Sequence, residues 1–144
     1  CQLVATCDLA VGSENSAFAT TGVNLALFCS TPSVAVSRNL SRKRAAELLF
    51  TGDLMTGRDA ESFGLINRCV SAKNLDEETL KLATKIAKKP KIAISTGKKM
   101  LYQQMEMKLE EAYSFASEIM ACNMMDEDNI EGINAFIEKR QPKW

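Results

Sequence analysis

Few residues in this sequence are able to carry acid–base or nucleophilic chemistry. The 144 residues contain no histidine, which excludes a His-based catalytic triad, a His general base and a His-containing metal site. The cysteines are odd in number, scattered and without a Cys-x-x-Cys pair, so they indicate neither a disulfide framework nor a zinc site and fit a reducing compartment. They are Cys1, Cys7, Cys29, Cys69 and Cys122.

Two further patterns suggest chemistry but have simpler explanations. The acidic run Asp126–Asp128 resembles a metal site, but it precedes a predicted helix, where carboxylates favour the helix dipole. The pair Gly97 and Lys98 does not form a phosphate-binding P-loop, because Ile92 replaces the upstream glycine and Lys99 replaces the metal-binding hydroxyl. We therefore predict a helix cap at the first place and no nucleotide hydrolysis at the second.

Two patterns leave alternatives open. Six of the seven methionines lie between Met100 and Met125, and such soft side chains are able either to line an acyl-chain site or to fill a core or a subunit interface. The basic residues between Lys139 and Lys143 are able to bind phosphate or to form a solvated tail.

The stretch Ala17–Pro32, AFATTGVNLALFCSTP, is the predicted position of any chemistry. It has the pattern of a surface strand, a glycine-bearing bend and a small-residue loop that opens a helix. Gly22 has no side chain and free access to positive φ, so we expect it to let the backbone approach a ligand and to supply no proton-transferring group.

Composition narrows the class of protein. With 46% hydrophobic and 25% charged residues, the chain is typical of one soluble globular domain or part of one. Eighteen basic and eighteen acidic residues cancel, so nucleic-acid partners are not expected. No apolar run is long enough for a membrane span. The start at Cys1 suggests the interior of a longer protein, and the ending KRQPKW resembles a natural C-terminus.

The first half is predicted to alternate short elements. A short helix over residues 1–7 precedes a hairpin of LAVGS and SAFAT, with its turn at residues 13–15. Thr31 is expected to cap a helix with Pro32 at its first position. A helix from Ser41 to Gly52 and a helix from Thr56 to Gly64 follow, and then LINRCV as a strand.

The second half is predicted to be helical. Asn74 and Glu77 have the spacing of a capping box, and Pro90 separates the helix that they begin from the next one. Two more helices follow. The first has Leu109, Ala112, Ala116, Ile119 and Met120 at core spacing, and the last has Ile130, Ile133 and Phe136 or Ile137 on its apolar side.

Three segments carry a resemblance to a known family, namely CQLVATCDLAVGSENSAFATTGVNLAL, FTGDLMTGRDAESFGLINRCV and FIEKRQPKW. Together they resemble the C-terminal half of the crotonase, or enoyl-CoA hydratase/isomerase, superfamily. The resemblance covers essentially the whole chain. It implies an α/β fold, namely the C-terminal part of a ββα spiral over residues 1–72, followed by a helical region over 73–144 that mediates trimerisation and covers CoA.

The resemblance also implies which residues form the site. Hydratases of this family use two glutamates, which here align with Gln2 and Gly22, so we expect no hydratase acid or base. Asp8 and Glu14 lack the spacing to replace them and are interpreted as structural. Both oxyanion-hole amides belong to sequence before Cys1. The residues implied in substrate binding are Gln2, Thr21, Gly22, Leu25, Met120 and Lys139.

The remaining implications concern ligands and partners. The resemblance implies an acyl-CoA thioester as substrate or ligand, with no other cofactor and no metal. It implies a homotrimer or a hexamer and a mitochondrial role in fatty-acid metabolism. Because the hydratase acids are replaced, the expected function is either a different reaction that needs only an oxyanion hole or non-enzymatic binding.

Overall fold

Helices dominate the computed structural model, which describes residues 1–144, and the strands are short. The chain divides into two compact units, Cys1–Leu82 and Ala83–Trp144. The helices are α1 (Gln2–Thr6), α2 (Ser30–Asn39), α3 (Arg42–Thr51), α4 (Gly57–Phe63), α5 (Leu75–Ala87), α6 (Lys91–Gln104), α7 (Leu109–Met124) and α8 (Glu127–Ile137). The strands are β1 (Val11–Ser13), β2 (Ala17–Phe18), β3 (Met55–Thr56) and β4 (Arg68–Val70).

The four strands form two separate pairs in the first unit. β1 pairs in parallel with β4, with Gly12 opposite Cys69. β2 pairs antiparallel with β3, with Phe18 opposite Met55. The predicted hairpin of β1 with β2 is therefore wrong.

A tight turn explains why the hairpin does not form. The Glu14 N–H donates to the Val70 carbonyl at 2.8 Å, which extends the contact of β1 with β4 beyond the strand. The Ser16 N–H then donates to the Ser13 carbonyl at 2.9 Å and redirects the chain. The Gly57 N–H donates to Ser16 at 2.9 Å, so the segment after the turn joins the β3 side instead of folding back on β1.

Most predicted helix ends in the first unit are confirmed. α3 ends at Gly52, which has φ 70°, and α4 ends at Gly64, which has φ 89°. The Thr56 hydroxyl accepts the Asp59 N–H at 3.2 Å and caps α4. These ends follow local rules, because glycine adopts the left-handed conformation readily and a threonine hydroxyl satisfies a free helical N–H.

The start of α2 differs from the prediction. The helix is capped by Cys29 and begins at Ser30, so Thr31 is its second residue and Pro32 its third. The first bond of the helix runs from the Ser33 N–H to the Cys29 carbonyl at 2.9 Å. Proline is tolerated at the third position because the N–H groups of the first turn have no helical partner.

One apolar cluster holds the first unit together. α1 packs against α2, α2 against α3, and α4 against β4. Fully buried Val36 and Ala60 lie in this cluster. Its other buried members are Ala5, Phe18, Leu40, Ala45, Leu48, Met55, Leu65 and Ile66.

The second unit lacks such a cluster. α6 packs against α7 and α7 against α8, and the buried residues are Ala112 and Ala135. Core positions were predicted for Leu109 and Met120, but their side chains are 75% and 65% exposed. The apolar side predicted for α8 is also uncovered, since Ile130, Ile133, Phe136 and Ile137 are exposed. Helical periodicity defines an apolar face but not what covers it.

The start of α5 also differs from the prediction. A 3-10 turn over Ala72–Asn74 leads directly into the helix. The Asn74 N–H donates to the Ser71 carbonyl at 2.9 Å, so Glu77 does not accept it in a capping box. Glu77 instead pairs with Lys81 at 2.8 Å. The break before α6 at Pro90 is confirmed. None of the helices combines the length and apolar character that a membrane span needs.

Candidate functional site

The stretch Ala17–Pro32 contains β2, a 3-10 helix over Thr21–Leu25 and the beginning of α2. The buried Thr20 hydroxyl donates to the Leu48 carbonyl at 2.8 Å. This bond attaches the start of the 3-10 helix to α3, with which the 3-10 helix also packs. The first unit thus attaches this 3-10 helix to its buried core through α3.

Gly22 lies within the predicted bend but does not adopt positive φ. It lies in the 3-10 helix, and the residue with positive φ in this stretch is Ala26, at 57°. Gly22 is instead surrounded by its own turn. The Leu27 N–H donates to the Gly22 carbonyl at 3.0 Å, and the Gly22 N–H donates to Cys29 Sγ at 3.3 Å. Glycine at this position therefore allows other atoms of the turn to approach its backbone closely, and it is not needed for a left-handed conformation.

Gln2 occupies the first position of α1, where its side chain is exposed. The helix is attached to the core and to α2, because Ala5 is buried and the Asn39 Nδ2 donates to the Ala5 carbonyl at 2.7 Å. An amide at this position is able to hydrogen-bond water or a ligand but does not titrate, so it cannot act as a general base.

The other predicted binding residues of the first unit share the 3-10 helix. Thr21 is exposed, and Leu25 is 76% exposed. Thr21, Gly22 and Leu25 therefore form one short surface segment, whereas Gln2 is on α1. The two last predicted residues lie in the second unit, with Met120 on α7 and Lys139 just after α8.

The segment after α8 is folded back on that helix. Lys139 has φ 54°, and Arg140 forms a bidentate pair with Glu131 at 2.6 and 2.9 Å. The Lys143 N–H donates to Glu131 Oε1 at 2.8 Å. Together these bonds lower the pKa of Glu131 to about 2, with the hydrogen bond from Arg140 as the largest cause. Of the basic residues considered as phosphate ligands, Arg140 is engaged by carboxylates.

The acidic residues take structural positions. Asp126 caps α8, since its Oδ1 accepts the Asp128 N–H at 3.0 Å, which confirms the predicted cap. Glu14 forms an exposed ion pair with Arg58 at 3.2 Å. Within residues 1–144, no three or more Cys, Asp or Glu side chains are grouped to hold a metal ion.

Sequence patterns did not reveal the role of Cys29 or Ala26. The sulfur of Cys29 contacts a residue seven positions earlier, a spacing that belongs to no regular element. Ala26 adopts the left-handed conformation although alanine disfavours it, so no turn signal marked this position.

Comparison with known proteins identifies the class to which this fold and site belong. A profile of the enoyl-CoA hydratase/isomerase family matches residues 1–144. The chain belongs to that family, as the resemblance predicted. The α/β fold expected for the C-terminal part of a crotonase is confirmed by solved structures of the family.

Among individual proteins, the chain is similar to enoyl-CoA hydratase domain-containing protein 3, mitochondrial, of Rattus norvegicus. The two are 47% identical over 144 residues, which are 100% of this chain and 48% of the rat protein. The corresponding Xenopus laevis protein is 46% identical, with 100% and 49% covered. The chain thus spans about half the length of these curated relatives.

Two solved structures are similar over 99% of this chain and 56% of the other chain. The crystal structure of an enoyl-CoA hydratase from Mycobacterium smegmatis has a TM-score of 0.97 and 50% identity. That of human enoyl coenzyme A hydratase domain-containing protein 3 has a TM-score of 0.95 and 46% identity.

Proposed function

We propose that the full-length protein binds an acyl-CoA thioester and does not catalyse ordinary enoyl-CoA hydration. Family membership supports the thioester ligand. The observation that carries the second part is the pair of residues at the positions of the family glutamates, because Gln2 supplies an amide and Gly22 supplies no side chain.

The rate that the two family glutamates would contribute is large enough to support this proposal. Adding water across a carbon–carbon double bond requires one group to activate the water and another to deliver a proton. Each positioned acid or base contributes about 10²–10⁴ in rate. In this chain, neither Asp8 nor Glu14 has the spacing to replace the missing pair, and Glu14 is paired with Arg58.

A reaction that needs only stabilisation of an enolate or oxyanion remains compatible with these residues. Decarboxylation or hydrolysis of the thioester belongs to this class, because backbone N–H donors stabilise the developing charge. The family resemblance assigns those donors to sequence before Cys1. The substrate-binding residues in this proposal are Gln2, Thr21, Gly22, Leu25, Met120 and Lys139, with Lys139 near the CoA phosphate.

A second candidate is a non-enzymatic binding or regulatory protein that retains the crotonase trimer. The exposed apolar side chains of α7 and α8 favour assembly with further copies, since they have no core within their own unit. Vertebrate relatives named as mitochondrial proteins support a mitochondrial location.

Calorimetry with the full-length protein tests the proposed ligand. Butanoyl-CoA is titrated against the protein, with free CoA and butanoate as separate controls. Saturable binding that requires both parts of the thioester supports the proposal, and no binding contradicts it.

The two candidates differ in turnover. Incubation with malonyl-, methylmalonyl- and butanoyl-CoA, followed by mass spectrometry, detects decarboxylation or hydrolysis. Release of carbon dioxide or CoA favours the enzyme, whereas binding without any product favours the regulatory protein.

A further inference from the structure

We propose that the turn over residues 22–29 closes position 22 to any side chain, so the backbone itself excludes a second catalytic carboxylate. This inference rests on the proposed function, because it takes position 22 as the place of the second hydratase acid. It goes further by stating that restoring the two side chains does not restore the reaction.

The space beside Gly22 is already occupied. A Cβ atom placed on Gly22 would lie 2.6 Å from the Leu27 carbonyl oxygen and 2.8 Å from Cys29 Sγ. Both distances are shorter than van der Waals contact, and one of the two atoms belongs to the backbone. A change of side-chain rotamer at position 29 would therefore relieve only one of the two clashes.

The neighbouring atoms are held in place at both ends of the turn. The Leu27 N–H bonds to the Gly22 carbonyl at 3.0 Å, and the Ala26 N–H bonds to the Val23 carbonyl at 3.2 Å. Cys29 accepts the Gly22 N–H through its sulfur and caps α2 through its carbonyl, which accepts the Ser33 N–H at 2.9 Å. The residues on both sides of the Leu27 carbonyl are therefore bonded within the turn or to α2, and a shift of the whole segment 26–29 away from position 22 would break these bonds.

The first test measures whether carboxylates restore hydration. Gln2→Glu and the double variant Gln2→Glu/Gly22→Glu are made in the full-length protein, and hydration of crotonyl-CoA is measured. The expected result is that the double variant hydrates crotonyl-CoA no faster than Gln2→Glu alone, within about threefold. A rate for the double variant about 10²-fold or more above that of Gln2→Glu, which is the contribution of one positioned acid, overturns the inference.

The second test measures closure directly and needs no activity. Gly22→Ala adds only the Cβ atom, and we expect it to lower the thermal midpoint by roughly 5 °C, as an overpacked site does. The matched control is Gly97→Ala, because a Cβ there meets no atom within 4 Å and alanine favours the interior of α6. A midpoint for Gly22→Ala equal to that of the wild type, or higher, contradicts the closed turn.

These results separate the inference from the proposed function. Hydration of crotonyl-CoA by the wild-type protein contradicts the proposed function, but the Gly22→Ala measurement still decides whether the turn is closed. Hydration that appears only in the double variant contradicts the closed turn and leaves the proposed function of the wild type unchanged.

Discussion

The two units of the chain bury their apolar residues to very different extents. In Cys1–Leu82, the apolar side chains at core spacing on α3 are buried, namely Ala45, Leu48 and Leu49. In Ala83–Trp144, residues with equally regular spacing are exposed, and two alanines are the buried residues.

This difference shows that the two units are stabilised in different ways. The first unit contains sequence-distant contacts, such as β1 with β4, around a shared cluster. The second consists of helices that contact their neighbours in sequence and present apolar faces to the outside. Large exposed apolar patches are typical of interaction surfaces, which is why we propose that the second unit functions in assembly.

The largest expected effect is on the core of the first unit. Leu48→Ala should lower the free energy of unfolding of the 144-residue chain by about 2–5 kcal/mol, because Leu48 is 4% exposed and its loss leaves a cavity. Leu109→Ala is the matched control, because the same side chain is 75% exposed there. Urea unfolding of dilute protein followed by circular dichroism measures both, and equal costs would contradict the comparison.

The next effect concerns assembly through the second unit. Tyr113 is 70% exposed on α7, so Tyr113→Asp should weaken the proposed oligomer of the full-length protein by about 1.5–3 kcal/mol, the value of one buried large apolar side chain. Light scattering across a concentration series measures the dissociation. Ser114→Asp adds the same charge at the adjacent exposed position and should have less effect. An oligomer that responds equally to both variants contradicts the assignment of this face.

A smaller effect is expected where non-glycine residues adopt positive φ. Ala26→Gly should stabilise the chain by up to about 1 kcal/mol, because glycine removes the left-handed strain at φ 57°. Lys139→Gly relieves the same strain in the second unit, but it follows the last helix and should change the midpoint less. Thermal melts of the two variants measure the change in midpoint. A lower midpoint for Ala26→Gly than for the wild type would contradict backbone strain at Ala26.

The smallest effect is a pH dependence limited to the second unit. The folded pKa of Glu131 is about 2 instead of 4.5, so its contribution is present above pH 4.5 and is lost as the pH falls from 4.5 to 2. Trp144 is the only tryptophan, and its Nε1–H donates to the Lys88 carbonyl, so its fluorescence reports this unit. Glu131→Gln should reduce the loss of stability between pH 4.5 and pH 2. An acid-unfolding curve that is the same for this variant and the wild type would contradict a stabilising pair of Glu131 with Arg140.

Local features of the fold were predictable from sequence. The cap at Thr56 and the helix ends at Gly52 and Gly64 depend on one residue and its immediate neighbours. Strand pairing was not predictable in this way. The polar residues 13–15 predicted a hairpin, but the distant β4 paired with β1 and left β2 to pair with β3.

The candidate site shows the same limit. The resemblance located Gln2 and Gly22 as the positions of interest, yet it did not reveal that the Leu27 carbonyl and the Cys29 sulfur approach Gly22. That contact depends on the path of the backbone between residues 22 and 29, which no side-chain pattern encodes. For the second unit, periodicity identified the apolar faces, but burial depends on partners outside the helix.

Hydration of crotonyl-CoA by the full-length wild-type protein tests the central claim most directly. The loss of the conjugated enoyl thioester is followed by absorbance, with an active family hydratase as a positive control and Gln2→Ala as a matched variant. We expect no hydration above the uncatalysed rate in either the wild type or the variant. Hydration by the wild type that is lost in Gln2→Ala would contradict the account.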